Sequence, residues 1–325
     1  MKVIAGDIGG TKTLLSIFEW QEGRLVAGPE RTYPSADYPD LDTILAEFLG
    51  SRGGGGMRAA FGVAGPVRGR AVRTTNLPWV IDADALERRL GLGAVRLLND
   101  LEATAHGVLT LDDQAFRVLN PGEPQARGNR AVIAAGTGLG EAGMVWDGSG
   151  YRPFPTEGGH AGYGPEDAVE RALLAFMAGR YGRVTWERVL SGSALPDLLG
   201  FVEEHEGEPA DPGLRTEMQS GDAGAAITRA ASEGRCPVCV RAVDLFARLY
   251  GSEAGNLGLR MLATGGIYIG GGIAPKIVDT LARGPFLEAF RSKPPMEGLL
   301  AAMPLKVVME SRAALLGAAR VASLG

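Results

Sequence analysis

Cysteine is nearly absent from this chain. Cys236 and Cys239 are the only two, which excludes a disulfide framework and a four-cysteine zinc site. Their Cys-Pro-Val-Cys spacing has the form of a redox pair or half a metal site. Pro237 equally suits the first turn of a long helix with Cys236 near its cap, and that structural reading is adopted. Histidine is also scarce, with only His106, His160 and His205. Basic residues form no block of five or more, and 33 basic against 38 acidic residues leave a net charge of −5. There is therefore no electrostatic case for nucleic acid or an anionic membrane. Met1 to Asp7 holds no apolar stretch long enough for a signal peptide. The longest nearly apolar run, Met261 to Ala274, is shorter than a membrane span and rich in glycine. The expectation is a cytoplasmic protein. At 325 residues it exceeds what one compact core usually holds, so two domains are expected.

Glycine is abundant instead, at 49 residues, about twice the roughly 7% norm and without a collagen-like period. Part of the excess is the loose-looking Gly53-Gly54-Gly55-Gly56, and part ends apolar strands. Ile4-Ala5-Gly6-Asp7-Ile8-Gly9-Gly10-Thr11-Lys12-Thr13 is a strand entering a glycine turn, after which Leu14 to Phe18 reads as a second strand. Such a turn lets backbone N–H groups approach phosphate oxygens. A strand on the far side argues against the dinucleotide fingerprint and the P-loop, both of which open a helix on the phosphate. A hairpin with Asp7 at its mouth points to a Mg-nucleotide. Ala131 to Ala135 leads likewise into Gly136-Thr137-Gly138-Leu139-Gly140, followed by the apolar run 142–146. Ile267 to Ile269 ends in Gly270-Gly271-Gly272. The repeat implies two related halves, each offering a phosphate loop.

Strands are expected at 57–63, 70–75, 94–98 and 305–309, with helices at 80–90 (capped by Asp82), 101–110, 166–180, 185–191, 238–262 and 311–323. On the long helix the apolar face comprises Val243, Phe246, Leu249, Tyr250 and Leu257. Residues 203–222 are acidic and carry glycine and proline, and they read as a mobile surface excursion. Strands mixed with crossover helices in both halves define an α/β architecture.

Three groups of side chains could carry chemistry. Asn99-Asp100 ends a buried strand where ligands bind in open α/β sheets. Two alternatives stay open there: a helix cap, or a carboxylate that accepts a proton from an attacking hydroxyl while Asn99 orients the substrate. Glu157-Gly158-Gly159-His160 places an acid and an imidazole in a glycine loop. They either converge on something small or form a turn with an incidental histidine; no second histidine or cysteine lies near enough to form a metal site. Glu187 follows the expected cap Thr185, and from local sequence it simply complements a helix dipole.

Taken in order, Gly6-Asp7-Ile8-Gly9-Gly10-Thr11, Leu98-Asn99-Asp100-Leu101-Glu102-Ala103, Ala135 to Gly140, Glu157 to His160, Glu187 to Gly192 and Gly270 to Ile273 resemble the bacterial ATP-dependent glucokinase family. The motifs span nearly the whole chain. The resemblance implies a two-domain actin-like ATPase (ribonuclease H-like) fold with an interdomain cleft that closes on its substrates. The domains would be 1–105 plus 311–325, and 106–310. It also implies transfer of the ATP γ-phosphoryl group to the 6-hydroxyl of glucose, with Asp100 as general base. Asn99, Asp100, Glu157, His160 and Glu187 would bind the sugar. Gly6, Asp7, Ile8, Gly9, Gly10, Thr11 and Lys12, with Gly136, Thr137 and Gly138, would hold the phosphates, and Gly270, Gly271 and Gly272 would lie against the adenosine. Asp7 would stand near Mg²⁺, through water. A homodimer is common in the family. Lys12 departs from the usual asparagine and matches a related family of repressors and kinases, whose cysteine-rich zinc motif is missing here. A polyphosphate donor is thus an alternative to ATP, and fructose or mannose an alternative to glucose. A sugar-sensing repressor would need a helix-turn-helix ahead of the first hairpin, where Met1 leads directly into the strand. A nucleotide switch without sugar chemistry would not need Glu157 and His160 together.

Overall fold

Val3, Ile4 and Ala5 are fully buried in succession, the pattern of a strand covered on both faces. The computed structural model describes residues 1–21 and 24–324. Contacts divide the chain into two units, Met1–Ala115 with Pro153–Pro155 and Glu310–Gly325, and Phe116–Arg152 with Thr156–Met309.

The first unit opens with β1 (Lys2–Ile8), β2 (Lys12–Gln21), β3 (Arg24–Ala27), β4 (Arg31–Pro34) and helix α1 (Leu41–Leu49). It continues through β5 (Arg58–Val63), β6 (Val67–Arg68), β7 (Ala71–Arg73), β8 (Val80–Asp82), α2 (Ala83–Leu90), β9 (Val95–Asn99) and α3 (Asp100–Val108). Its main sheet has the order β3-β2-β1-β5-β9, with β4 also on β2. The hairpin β1–β2 is antiparallel, from Lys2 opposite Glu19 to Ile8 opposite Thr13, and β1, β5 and β9 run parallel.

The second unit contains β10 (Phe116–Asn120), β11 (Arg130–Ala135), β12 (Leu139–Trp146) and β13 (Tyr151–Thr156). Helices α4 (Ala168–Tyr181), α5 (Trp186–Val189), α6 (Leu195–Glu206), α7 (Pro212–Ser220), α8 (Ala223–Ser232) and α9 (Pro237–Met261) follow. Strand β14 (Gly266–Gly270), helices α10 (Val278–Leu281), α11 (Pro285–Arg291) and α12 (Glu297–Ala302), and β15 (Leu305–Val308) complete it. The sheet order is β10-β15-β14-β11-β12-β13. Its hairpin β11–β12 is antiparallel, and β11, β14 and β15 run parallel. The two sheets thus repeat one plan: a glycine-tipped hairpin whose first strand is joined by two parallel strands.

Helix α9 is the spine of the second unit. Val243, Phe246, Leu249, Tyr250 and Leu257 are all buried in its core. Cys236 is its N-cap and its Sγ accepts from Cys239 N at 3.3 Å. Both thiols are free and buried, and burial pushes the Cys239 thiol up. Among the described residues no helix is long and apolar enough to cross a membrane.

The last helix, α13 (Ala313–Leu324), returns to the first unit, where Leu315, Ala318, Ala319 and Ala322 cover Val3, Ala5, Phe18 and Ala60. It crosses α3 with the two backbones in contact. A Cβ on Gly317 would lie 1.8 Å from Ala103 O, and one on Gly107 would lie 1.8 Å from Ala313 O.

Four local expectations are corrected. Residues 80–82 form strand β8, and the helix starts only at Ala83; Asp82 is its cap, accepting from Ala85 N at 2.8 Å. A strand and a helix there share one apolar pattern too short to separate them by period. The helix expected at 185–191 is the four-residue α5, and Thr185 makes no side-chain cap bond. Residues 203–222 are not an excursion: they hold the end of α6 and all of α7, with Leu214 buried at 1% exposure. Asp211 with Pro212 is a helix start that the acidic composition masked. The glycine run 53–56 is tied down, since Gly54 N and Gly56 N donate to Leu90 O and Gly91 O at 2.8 and 2.9 Å.

The α3–α13 crossing yields a prediction. Gly317→Ala should destabilise the protein by about 1–3 kcal/mol, because backbone atoms cannot yield to the added methyl. Gly298→Ala, where a Cβ meets nothing within 4 Å, should be neutral or slightly stabilising. Urea midpoints measure both, and equal midpoints for the two variants would contradict the close crossing.

Candidate active site

In the first unit the tip of the β1–β2 hairpin is clamped from one side. Gly9 N donates to Lys12 O at 3.0 Å, Ser35 Oγ donates to Gly9 O at 2.8 Å, and Ser35 N donates to Thr11 O at 3.1 Å. Gly6 is wedged in the core, where a Cβ would lie 2.7 Å from Leu15 and Phe61, and one on Gly10 would lie 2.7 Å from Asn76. Ile8 is buried at 1% exposure and Lys12 is exposed. Asp7 faces Leu14 across the hairpin and Gly62 on β5. Burial raises its carboxyl above the ordinary aspartate range, and Lys12 partly offsets this.

The end of β9 gives Asn99 a capping role. Helix α3 begins at Asp100, one residue earlier than expected, and Asn99 is its cap. Asn99 Oδ1 accepts from Leu101 N at 2.9 Å and Glu102 N at 3.4 Å, while its Nδ2 donates to Gly65 O at 3.4 Å. The amide is therefore buried and oriented from both ends. Asp100 Oδ1 accepts from Leu101 N at 2.9 Å, which turns the carboxylate along the first turn.

The second unit brings Gly138, Glu157, His160 and Glu187 together. The turn Gly158–His160 is a single 3-10 turn flanked by Glu157. His160 Nε2 is 3.9 Å from Glu157 Oε2, and His160 Nδ1 is 3.8 Å from Glu187 Oε1. These separations exceed hydrogen-bond length, so the three side chains converge without satisfying one another. Glu187 does more than complement a helix dipole. Its Oε2 accepts from Leu139 N at 3.0 Å, and a Cβ on Gly138 would lie 2.4 Å from the same oxygen. The carboxylate thus fixes the far side of the hairpin turn while its other oxygen faces His160.

A cavity of about 510 Å³ in this unit is lined by Gly136, Thr137, Gly192, Ser193, Gly272, Ile273, Lys276 and the start of α8 at Asp222–Ala225. A Cβ on Gly136 or Gly272 meets nothing within 4 Å. Glycine at these two positions answers to no neighbour inside the protein and leaves the backbone open to a ligand. Gly271 differs: its φ is +83° and a Cβ would strike Ala135 O at 2.2 Å. Gly192 N donates to Gly136 O at 2.7 Å and Ser193 Oγ to Thr137 O at 3.1 Å. Beneath both glycine loops lies Tyr250, whose hydroxyl accepts from Ala135 N at 3.1 Å and donates to Gly270 O at 3.1 Å. A second cavity, about 550 Å³ and lined by residues such as Glu166, His205 and Arg241, contains none of the motif residues.

Sequence reasoning missed Tyr250, Ser193, Lys276 and the α8 start. Tyr250 is one apolar-face residue among five, and nothing local marks its hydroxyl. Ser193 follows directly on the Glu187–Gly192 motif and was within reach. The α8 start could be read only as Asp222 before an alanine run.

Among the described residues no three His, Cys, Asp or Glu side chains form a metal cage. Asp7 supplies one carboxylate held in a secluded place. That fits a magnesium ion bound mainly by phosphate oxygens and water rather than by the protein.

Two sheets of one plan, each presenting a glycine-tipped hairpin, define an actin-like ATPase fold of the kind shared by glucokinases and ROK sugar kinases. A glucokinase family model matches residues 4–324. The glucokinase of Nostoc punctiforme is 36% identical over 336 residues, covering 99% of this chain and 98% of its own. That of Synechocystis sp. is 36% identical over 342 residues, covering 97% and 96%. The chain belongs to the glucokinase family. Among solved structures, a glucokinase from an Antarctic psychrotroph superposes with a TM-score of 0.84 at 28% identity, covering 100% of this chain and 99% of its own. A ROK family glucokinase from Streptomyces griseus, in complex with glucose and AMPPNP, shares the fold at a TM-score of 0.67 and 22% identity, covering 100% of both chains.

Tyr250→Phe should cost about 1–3 kcal/mol, the penalty for a buried N–H left without an acceptor at Ala135. Urea unfolding measures it. A midpoint equal to that of the wild type would show that the hydroxyl does not hold the two loops.

Proposed function

We infer that this protein phosphorylates D-glucose with ATP, giving glucose 6-phosphate and ADP. The observation that carries the reading is the convergence of Glu157, His160 and Glu187, with polar atoms still available, beside the Gly136–Gly138 hairpin. Two carboxylates and an imidazole, each with polar atoms still available, suit a polyhydroxylated ligand. Adjacent open backbone at Gly136 and Gly272 suits a nucleotide.

The reading assigns Asn99, Asp100, Glu157, His160 and Glu187 to hexose binding. Asn99, oriented at both ends, would hold a sugar hydroxyl. Asp100 would receive the proton of the 6-hydroxyl as that oxygen attacks the γ-phosphorus. Phosphoryl transfer has a loose transition state, so alignment and charge neutralisation supply most of the rate and the base takes its proton late. The backbone of Gly6 to Lys12 and of Gly136 to Gly138 would cradle the phosphates, and Gly270 to Gly272 would lie against the adenosine. Asp7 would hold Mg²⁺ through water, and the ion, when bound, neutralises charge on the transferred phosphoryl group. Each sugar hydroxyl lost or inverted would leave a polar group that the bound sugar covers without its partner, at about 1–3 kcal/mol per partner, and this is the basis of hexose selectivity. The reading also includes a homodimer and a place in cytoplasmic glycolysis.

Asp100→Asn should lower turnover by about 10²-fold or more with the circular dichroism spectrum and urea midpoint retained. Near-normal glucose phosphorylation by this variant would overturn the role of Asp100. A coupled ADP-release assay across glucose, fructose and mannose should show a marked preference for glucose. Replacing ATP with polyphosphate in the same assay tests the donor, and efficient transfer from polyphosphate would assign Lys12 to a different donor chemistry.

A further inference from the structure

Directly beneath the Glu157–His160 turn lies a pair of buried acids that the reaction described above does not use. Glu141, on β12, is 1% exposed and Glu253, on α9, is fully buried. Both are held by one cation: Arg260 donates to Glu253 Oε1 and, at 3.3 Å, to Glu141 Oε2. Asn256 Nδ2 donates to Glu253 Oε2 at 2.9 Å. Glu141 Oε1 is buried and makes no hydrogen bond among the described residues.

The same Glu141 supports the turn through both its backbone and its side chain. Thr156 Oγ1 donates to Glu141 O at 3.1 Å and accepts from Gly158 N at 3.2 Å. A Cβ on Gly158 would lie 1.9 Å from Glu141 Oε2. The carboxyl therefore fills the space that a side chain at position 158 would take, and the turn rests on it.

Two buried carboxylates facing one guanidinium, whose own side chain is 43% exposed, cannot both stay charged without an uncompensated negative charge. The other groups packed around Glu141 do not supply the missing cation. On α9 the remaining titratable neighbour is Tyr250, β11 places the apolar Ile133 opposite, β13 contributes Thr156, and the turn itself carries Glu157 and His160.

We propose that Glu141 is a positioning residue for the hexose: it holds the Glu157–His160 turn from beneath, and does so only while the Glu141–Glu253 pair retains one proton. The proposal rests on the reading that this turn binds glucose. Burial first, and then Glu253, push the Glu141 carboxyl up to about 8, with Arg260 pulling it back. Because this pKa is raised above the ordinary 4.5, the folded state binds the proton more tightly than the unfolded chain. The stability it contributes is fully present below about pH 4.5 and is lost as the pH rises towards 8. The turn itself responds only as the native carboxyl ionises, near the upper end of that window.

The test is glucose KM and kcat of the full chain at saturating ATP from pH 7 to 9.5, with direct glucose binding by calorimetry over the same range. In the wild type, glucose KM and Kd should rise about five-fold or more across this range while kcat changes less. Glu141→Gln keeps the shape and removes the titration, so its KM and Kd should stay flat. Glu253→Gln leaves a single acid facing Arg260 and should flatten the profile in the same way, which covers a failure of Glu141→Gln to fold. A wild-type profile without the rise, or variants that keep it, would overturn the proposal. Glu157→Gln separates the two readings. If it binds glucose like the wild type, the assignment of the turn falls and this proposal with it. If it loses glucose at every pH while Glu141→Gln still rises like the wild type, the proposal alone falls.

Discussion

The hydrogen bond from Leu139 N to Glu187 Oε2, at 3.0 Å, is the contact on which the cluster in the second unit depends. It joins the hairpin tip to a helix nearly fifty residues later in the chain. One carboxylate oxygen sets the exit of the hairpin turn at Gly138, and the other faces His160 across 3.8 Å. The hairpin turn and the acid–imidazole cluster are therefore indexed to one carboxylate. In a reaction governed by alignment rather than by covalent chemistry, such shared anchoring matters more than any single strong contact.

The glycines divide into two physical kinds around that anchor. Gly6, Gly10, Gly138, Gly158 and Gly271 are enforced from inside, because a Cβ on each would meet protein atoms at 2.7 Å or less. Gly136 and Gly272 meet nothing within 4 Å and line the open cavity. Glycine-rich motifs look uniform in sequence, yet only the second kind has open space where a side chain would stand. The first kind makes that exposure possible by letting neighbouring segments approach. Gly158 belongs to the first kind because Glu141 occupies its side-chain space.

The elements that were legible were those with a strong local signature. The two hairpins, the α9 spine with its Cys236-Pro237 start, and the β9 strand ending in Asn99-Asp100 all follow from apolar runs bounded by glycine or by caps. Legibility failed where one pattern served two structures, as at 80–90, or where polarity hid a helix, as at 203–222. Glu187 is the sharpest case: an acid in a helical first turn has a sufficient local explanation. Its observed partner is a backbone N–H on another element, and nothing in the neighbouring residues encodes that distance.

By itself the sequence determined the repeated strand–glycine–strand plan, the α/β class and the ordered motifs of the glucokinase family, because each depends on local periodicity and backbone freedom. Only the tertiary structure decided which glycines face open space, that Asn99 rather than Asp100 caps α3, that Tyr250 joins two loops from below, and that Glu141 and Glu253 share one arginine. These depend on atoms brought within 4 Å from residues far apart in the chain, such as Glu141 and Arg260, 119 residues apart, and burial, which sets the charge of such groups, exists only once the chain has folded.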